Sequence, residues 1–253
     1  MGLNNPKVRL DRLLVEKGLA PSQEKARALI YAGMVKVNQI PAVKPGKEID
    51  SNLSVEVKQG SHPYVSRGGV KLEKALATFH LEVKDKVALD IGASTGGFTH
   101  CLLLRGIKRV YAVDVGYGQL AWEIRQDSRV KVMERKNVRF LSLSDIGERV
   151  DLIVVDTSFI SLKLVIPPLI SILKDQGDVV ALIKPQFEVG KGKVGKGGVV
   201  RNEEDRKSVI ESLSLFFQEK GFAVLGTMES PIQGAKGNRE FFIHLRKCNT
   251  LSV

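Results

Sequence analysis

Two apolar runs in this sequence each end on a charge. Asp151-Leu-Ile-Val-Val-Asp156 closes on an acid, and Val179-Val-Ala-Leu-Ile-Lys184 closes on a lysine stiffened by the following Pro185. An ionised group at the end of a buried strand costs stability unless it is paired or put to work, so both are candidates for proton transfer or electrostatic chemistry. Two further residues share this character. Lys71 lies at the start of the helical pattern Arg67-Gly-Gly-Val-Lys71-Leu-Glu-Lys-Ala-Leu, and Glu240 stands at the mouth of the strand-like run Phe241–Leu245. Taken singly each could be an ordinary ion pair or surface charge, and for Lys71 alone that reading prevails. At the strand ends of Asp156 and Lys184 a function is favoured.

A second constellation points to a ligand. Lys86-Val-Ala-Leu-Asp90-Ile-Gly92-Ala93-Ser94-Thr-Gly96-Gly97-Phe98 reads as a strand running into a glycine turn that opens a helix, the context in which backbone approaches a ligand closely because no Cβ is in the way. The next strand, Tyr111-Ala-Val-Asp114, ends on a carboxylate that can accept both hydroxyls of a ribose, with Val115 beside it. That pairing occurs in nucleotide sites and in S-adenosylmethionine (SAM) sites alike. The dinucleotide fingerprint would place glycine at 94, where this chain has Ser94. Asn137, just past the third strand, is placed either to meet an adenine ring or to cap its loop.

These residues need a scaffold that brings distant strand ends together. Beyond residue 62 the apolar runs alternate in type: Val87–Ile91, Phe98–Leu104, Val110–Val113, Leu120–Ile124, Val130–Met133, Leu152–Val155, Leu162–Leu173, Val179–Ile183, Val209–Phe217, Phe222–Leu225 and Phe241–Leu245. Such alternation predicts an α/β domain, a mostly parallel, doubly wound sheet with helices on both faces and its ligands at the carboxyl ends of the strands. The Gly/Ser/Pro-containing stretch 59–64 predicts a boundary, giving units 1–62 and 63–253. Gly190–Gly198, with Lys191, Lys193 and Lys196 among glycines, reads as a mobile basic loop.

The N-terminal unit reads as two short helices, Arg9–Lys17 and Ser22–Ile30, and a small sheet containing Val35–Asn38 and Leu53–Val57. It carries ten Lys/Arg against six Asp/Glu through residue 60. Arg9, Arg12, Lys25, Arg27 and Lys36 fall in or beside its helices; on one face they would track phosphates, and otherwise they form a solvated surface. The run from Arg9-Leu-Asp-Arg-Leu-Leu through Ser22…Ala26-Arg27…Ile30…Gly33-Met-Val-Lys-Val-Asn38 resembles the S4 RNA-binding domain over the whole unit. The resemblance implies a small α+β fold that binds structured RNA.

Further resemblances bear on the larger unit. Asp90 leading a turn that contains Gly96-Gly97 is similar to motif I of SAM-dependent methyltransferases, which implies a Rossmann-like domain with SAM at Asp90, Gly92, Ala93, Ser94, Gly96, Gly97, Phe98, Asp114, Val115 and Asn137. Lys71, Asp156, Lys184 and Glu240, in that order, resemble the Lys-Asp-Lys-Glu tetrad of FtsJ-type RNA ribose 2′-O-methyltransferases. That chemistry removes a proton from a weakly acidic hydroxyl held in line with a sulfonium methyl. Lys184 could do so with a lowered pKa, from burial and a neighbouring Lys71, while Asp156 and Glu240 hold the ammonium groups. Ser66-Arg67-Gly-Gly…Lys71-Leu, Asp156-Thr-Ser-Phe-Ile-Ser and Lys184-Pro-Gln-Phe-Glu188 complete a resemblance to the TlyA (haemolysin A) family over essentially the full length. It implies 2′-O-methylation of a ribosomal RNA cytidine, with ribosomal RNA or assembled subunits as partner and Arg67, Lys191 and Lys193 joining the RNA contacts.

Composition sets the outer limits. With 253 residues, 43% apolar, 39 Lys+Arg against 28 Asp+Glu and a net charge of +11, the chain reads as a globular protein with an anionic partner. Cys101 and Cys248 do not make a disulfide framework or a metal site, so reduced thiols, no metal and a cytoplasmic monomer are expected. No run approaches the roughly 18–20 apolar residues of a membrane-spanning helix, which argues against pore formation. A binding module that has lost catalysis and an NAD-dependent enzyme remain competing classes; titration with SAM and with NAD separates the latter.

Overall fold

A computed structural model describes residues 7–248 except 21, 32, 43, 58–61, 191 and 196. The chain divides into two compact units, Met1–Pro63 and Tyr64–Val253.

The first unit runs β1 (Lys7–Arg9), α1 (Leu10–Glu16), α2 (Gln23–Tyr31), β2 (Val35–Val37), β3 (Ile40–Pro41), β4 (Glu48–Asp50) and β5 (Val55–Val57). Leu10, Leu13 and Leu14 from α1 and Ala26 and Ile30 from α2 are buried together against Val35 and Ile49, the stripe that helical spacing requires. β1 pairs antiparallel with β4, while β2 pairs with β3 and β5.

In the second unit come α3 (Gly68–Thr78), β6 (Val87–Ile91), α4 (Gly97–Leu104), β7 (Arg109–Val113), α5 (Trp122–Arg125), β8 (Val130–Met133), α6 (Leu143–Ile146), β9 (Val150–Val155), α7 (Leu162–Val165), β10 (Leu173–Ile183), α8 (Pro185–Glu188), α9 (Glu203–Glu219), β11 (Phe222–Glu229) and β12 (Phe241–Lys247). Seven strands form one sheet in the order β11-β12-β10-β9-β6-β7-β8. β8, β7, β6, β9 and β10 are parallel neighbours; β12 enters antiparallel between β10 and β11. The expected α/β architecture is thus present, with the order reversing at β6.

Strand periodicity sorts the core into two layers. Val87, Leu89 and Ile91 of β6 face a layer closed by Val209, Leu213 and Phe217 of α9. Ala88 faces the opposite layer, where Leu72 and Leu76 of α3 meet Cys101 and Leu102 of α4. The apolar run Leu162–Leu173 is not one element: after α7, Pro167 and Pro168 open a short 3₁₀ turn, and Leu173 already begins β10. Prolines at the start of the turn remove two amide donors and divert the chain into the sheet.

Candidate active site

Where the sheet order reverses, the carboxyl ends of β6 and β9 open a cleft of about 670 Å³. Its floor is the turn Gly92–Phe98. Its walls are the N-terminus of α3 with Lys71, the strand-end Asp156, and residues 233–236 ahead of β12. Gly92 has φ +81°, and a side chain there would collide with the Asp156 carbonyl; Gly97 would collide with the Ser66 hydroxyl. The close approach of turn, β9 and α3 therefore requires glycine at both positions.

Of the four charged residues, Lys71 and Asp156 line the cleft, and each is paired with one of the other two, which do not line it. Lys71 Nζ lies 2.5 Å from Glu240 Oε2, with side chains 12% and 3% exposed. Lys184 Nζ lies 2.7 Å from Asp156 Oδ1 and donates to Ser158 Oγ at 2.9 Å. Asp156 Oδ1 is buried, and the Lys184 ammonium is its charge partner. Each ammonium thus faces a carboxylate of its own. Pro185 opens α8 directly after Lys184 and fixes the lysine's backbone.

Of the expected cofactor residues, Gly92, Ala93, Ser94, Gly97 and Phe98 line the cleft. Gly96 is the left-handed N-cap of α4. Asp90 lies beneath them, fully buried, its Oδ2 accepting from Thr99 Oγ1 at 2.6 Å and its Oδ1 from nothing. Burial pushes its carboxyl up to about 7 against the Thr99 hydrogen bond, with Asp156 and Asp114 adding to the rise. Asp114 accepts from the Ser94 N–H at 2.8 Å and the Gly116 N–H at 2.7 Å, and so braces the turn. Val115 is 70% exposed and, like Asn137, is not part of the cleft lining. Asn137 caps the 3₁₀ turn at Val138–Phe140, accepting from the Arg139 N–H at 3.1 Å; of its two sequence readings, the cap is the one with a contact.

The basic residues separate. Arg9 and Arg27 are not free cations: both donate at 2.9 Å to Oδ2 of Asp11, a fully buried carboxylate that the Arg9 guanidinium beside it holds well below the usual carboxylate range. Arg12 is exposed, and Lys36 sits in β2 opposite Glu56. Arg67 lines the cleft and donates to the Gln233 carbonyl at 3.2 Å, while Lys193 pairs with Asp205 at 2.7 Å. Lys191 and the side chain of Lys25 lie outside the described residues.

Sequence reasoning missed Asp11 and Ser158 as partners, and it missed Phe159. The Phe159 ring is 90% exposed on a backbone with φ 65°, 5.0 Å from the ring of Phe187. The signal was its place three residues beyond Asp156, with Phe187 three beyond Lys184.

Comparison with known proteins fixes the class. The FtsJ-like methyltransferase model matches residues 64–247, and the S4 domain model matches residues 8–55. The chain is an enzyme with an FtsJ-like methyltransferase domain and an S4 domain. The chain is 47% identical over 241 residues, 95% of its length and 90% of the relative's, to the 16S/23S rRNA (cytidine-2′-O)-methyltransferase TlyA of Mycobacterium tuberculosis. A solved Streptococcus thermophilus protein, provisionally named a hemolysin, is 46% identical with a TM-score of 0.76, covering 96% of this chain and 90% of that one. A SAM-dependent methyltransferase of Mesorhizobium loti, 13% identical, shares the fold with a TM-score of 0.51 over 69% of this chain and 96% of its own. The chain belongs to the TlyA (haemolysin A) family of S4-bearing, FtsJ-like methyltransferases. Among the described residues no helix is long and apolar enough to cross a membrane.

Proposed function

We propose that this enzyme transfers a methyl group from SAM to the ribose 2′-hydroxyl of a cytidine in ribosomal RNA. The observation that carries this reading is that one cleft is lined by a glycine turn, by Lys71, which pairs with Glu240, and by Asp156, which pairs with Lys184. The name of the M. tuberculosis relative supports the nucleotide and the position.

The cleft suits the cofactor. Its volume of about 670 Å³ lies in the range of small-molecule sites, and beneath its floor Asp90 keeps a buried oxygen without a hydrogen bond, which suits a cationic ligand. Gly92, Ala93, Ser94, Gly97 and Phe98 would hold it, with Asp114 taking the ribose hydroxyls. SAM supplies an activated methyl on a positively charged sulfur.

The rest of the chemistry belongs to the chain. Lys184, on a proline-stiffened strand end with Nζ set by Ser158 and Asp156, first gives one ammonium proton to solvent and then, as the free amine, takes the proton of the attacking hydroxyl. Lys71, at the cleft wall and steadied by Glu240, stabilises the charge that develops on the oxygen. Phe159 and Phe187 offer an aromatic face on which an unstacked base can rest, and exposed Arg12 of the S4 unit offers a phosphate contact. A ribosomal RNA substrate fits a cytoplasmic enzyme.

Incubation of the chain with methyl-labelled SAM and ribosomal subunits, followed by nucleotide mapping, tests the reading. Label on a cytidine 2′-oxygen is the expected result. Label on a base, or none on RNA of either subunit, overturns it.

A further inference from the structure

Asp90 stands near the end of β6 with no surface reaching solvent. Its Oδ2 takes the Thr99 hydroxyl at 2.6 Å, and its equally buried Oδ1 takes nothing. Two residues on, the chain enters the turn that floors the cleft. The charges acting on Asp90 are of its own sign: Asp156 past β9, itself on the cleft wall, and Asp114 past β7, while α4 contributes the Thr99 hydroxyl and N–H. The cations of the site are committed elsewhere, Lys184 to Asp156 and Lys71 to Glu240. A buried carboxyl with negative neighbours keeps its proton until a cation comes within range.

Resting on the reading that this cleft holds SAM, we propose that Asp90 recognises the positive charge of the methyl donor by exchanging a proton: protonated in the free enzyme under mildly acidic conditions, it releases that proton to solvent as the cationic donor enters and recovers it when the product leaves. Methyl transfer converts the sulfonium to a neutral thioether, so ionised Asp90 has a cation to face in the donor complex and lacks that charge in the product complex. Asp90 thereby favours donor over product without touching the reacting atoms, as a positioning residue for charge.

The sign of the linkage follows from the environment. Burial first, and then Asp156 and Asp114, hold the free carboxyl at about 7, and a cation lowers it. Donor affinity therefore rises with pH up to about 7, by as much as about tenfold per pH unit, and levels off above.

Isothermal titration of the full chain with SAM and with S-adenosylhomocysteine, at pH 6 and pH 8 in buffers of different ionisation enthalpy, counts the protons. At pH 6, SAM binding to wild type should release about half to one proton more than binding to Asp90→Asn, and at pH 8 nearly none, with the thioether showing the smaller difference at pH 6. Asp90→Asn should bind SAM with no such dependence. Thr99→Val, which removes a hydrogen bond favouring the ionised form, should keep the exchange and move it to higher pH, a check that does not rely on the Asn variant folding. SAM binding without proton release at pH 6, release retained in Asp90→Asn, or equal release with both ligands overturns the proposal and leaves the methyltransferase reading standing. Absence of SAM binding to wild type at both pH values overturns both.

Discussion

Lys71 and Glu240 are 169 residues apart in the chain and 2.5 Å apart at the cleft. Because both side chains are nearly buried, removing one leaves the other as an uncompensated charge. Glu240→Ala should cost about 3–5 kcal/mol of stability together with most activity. The double variant Lys71→Met/Glu240→Leu should regain much of the stability and none of the activity. Thermal unfolding set beside methyl transfer separates the two effects; a Glu240→Ala enzyme of wild-type stability would show the pair to be slack.

Lys184→Ala should lose about 10²–10⁴-fold in methyl-transfer rate while SAM affinity holds. Lys184→Arg should not rescue it, since a guanidinium does not give up a proton near neutral pH. Single-turnover rates decide the matter. An arginine variant with most of the activity would reduce Lys184 to an electrostatic role. Ser158→Ala removes one hydrogen bond to Nζ and should cost about 1 kcal/mol, or roughly fivefold in rate.

For the cofactor side, Asp114→Ala should weaken SAM binding by about 1–3 kcal/mol, since it removes the carboxylate offered to the ribose and also frees the N–H groups of Ser94 and Gly116. The chain's single tryptophan, Trp122, opens α5 beside Ala121, whose N–H donates to the Thr95 carbonyl in the cleft turn at 3.1 Å. Its fluorescence provides the titration signal. Undiminished affinity in Asp114→Ala would move the ribose elsewhere.

In the S4 unit, Arg12→Ala should weaken RNA binding by removing one phosphate contact and lower the salt slope by roughly 0.7–0.9, with SAM affinity unchanged. Asp11→Ala should act on stability instead, because it leaves Arg9 and Arg27 without the buried carboxylate that both donate to. The acid response distinguishes the two variants. Asp11 is held below the usual carboxylate range when folded, so its contribution to stability is present above about pH 4 and fades as the pH falls toward the folded value. Acid unfolding of the full chain should lose that component in Asp11→Ala and keep it in Arg12→Ala. Deleting residues 1–62 without loss of methylation would remove the unit from substrate recognition altogether.

Asp156 and Lys184 are legible in the sequence because each ends an apolar strand that cannot carry a charge idly, and Gly92 because a strand running into glycines has few other uses. The pairing of the four charges is not legible, since spacing along the chain says nothing about which ammonium meets which carboxylate when sheet order departs from chain order. Arg9 and Arg27 look free in sequence because the burial of Asp11 becomes visible only when α1 and α2 pack. Phe159 escapes notice for a related reason: an aromatic in an apolar stretch reads as core, and only its left-handed backbone turns the ring outward.

The antiparallel insertion of β12 also has a biosynthetic consequence. The strand that carries Glu240 at its head is the last of the seven to be translated, yet it occupies an interior position between β10 and β11. A nascent chain halted before Glu240 holds the glycine turn, Lys71, Asp156 and Lys184, but its β10 has a bare edge, β11 has no neighbour, and Lys71 lacks its carboxylate. Such an intermediate is an invitation to chaperones or to aggregation. Sheet closure and completion of the charged cluster therefore both wait for the same last segment of the sheet.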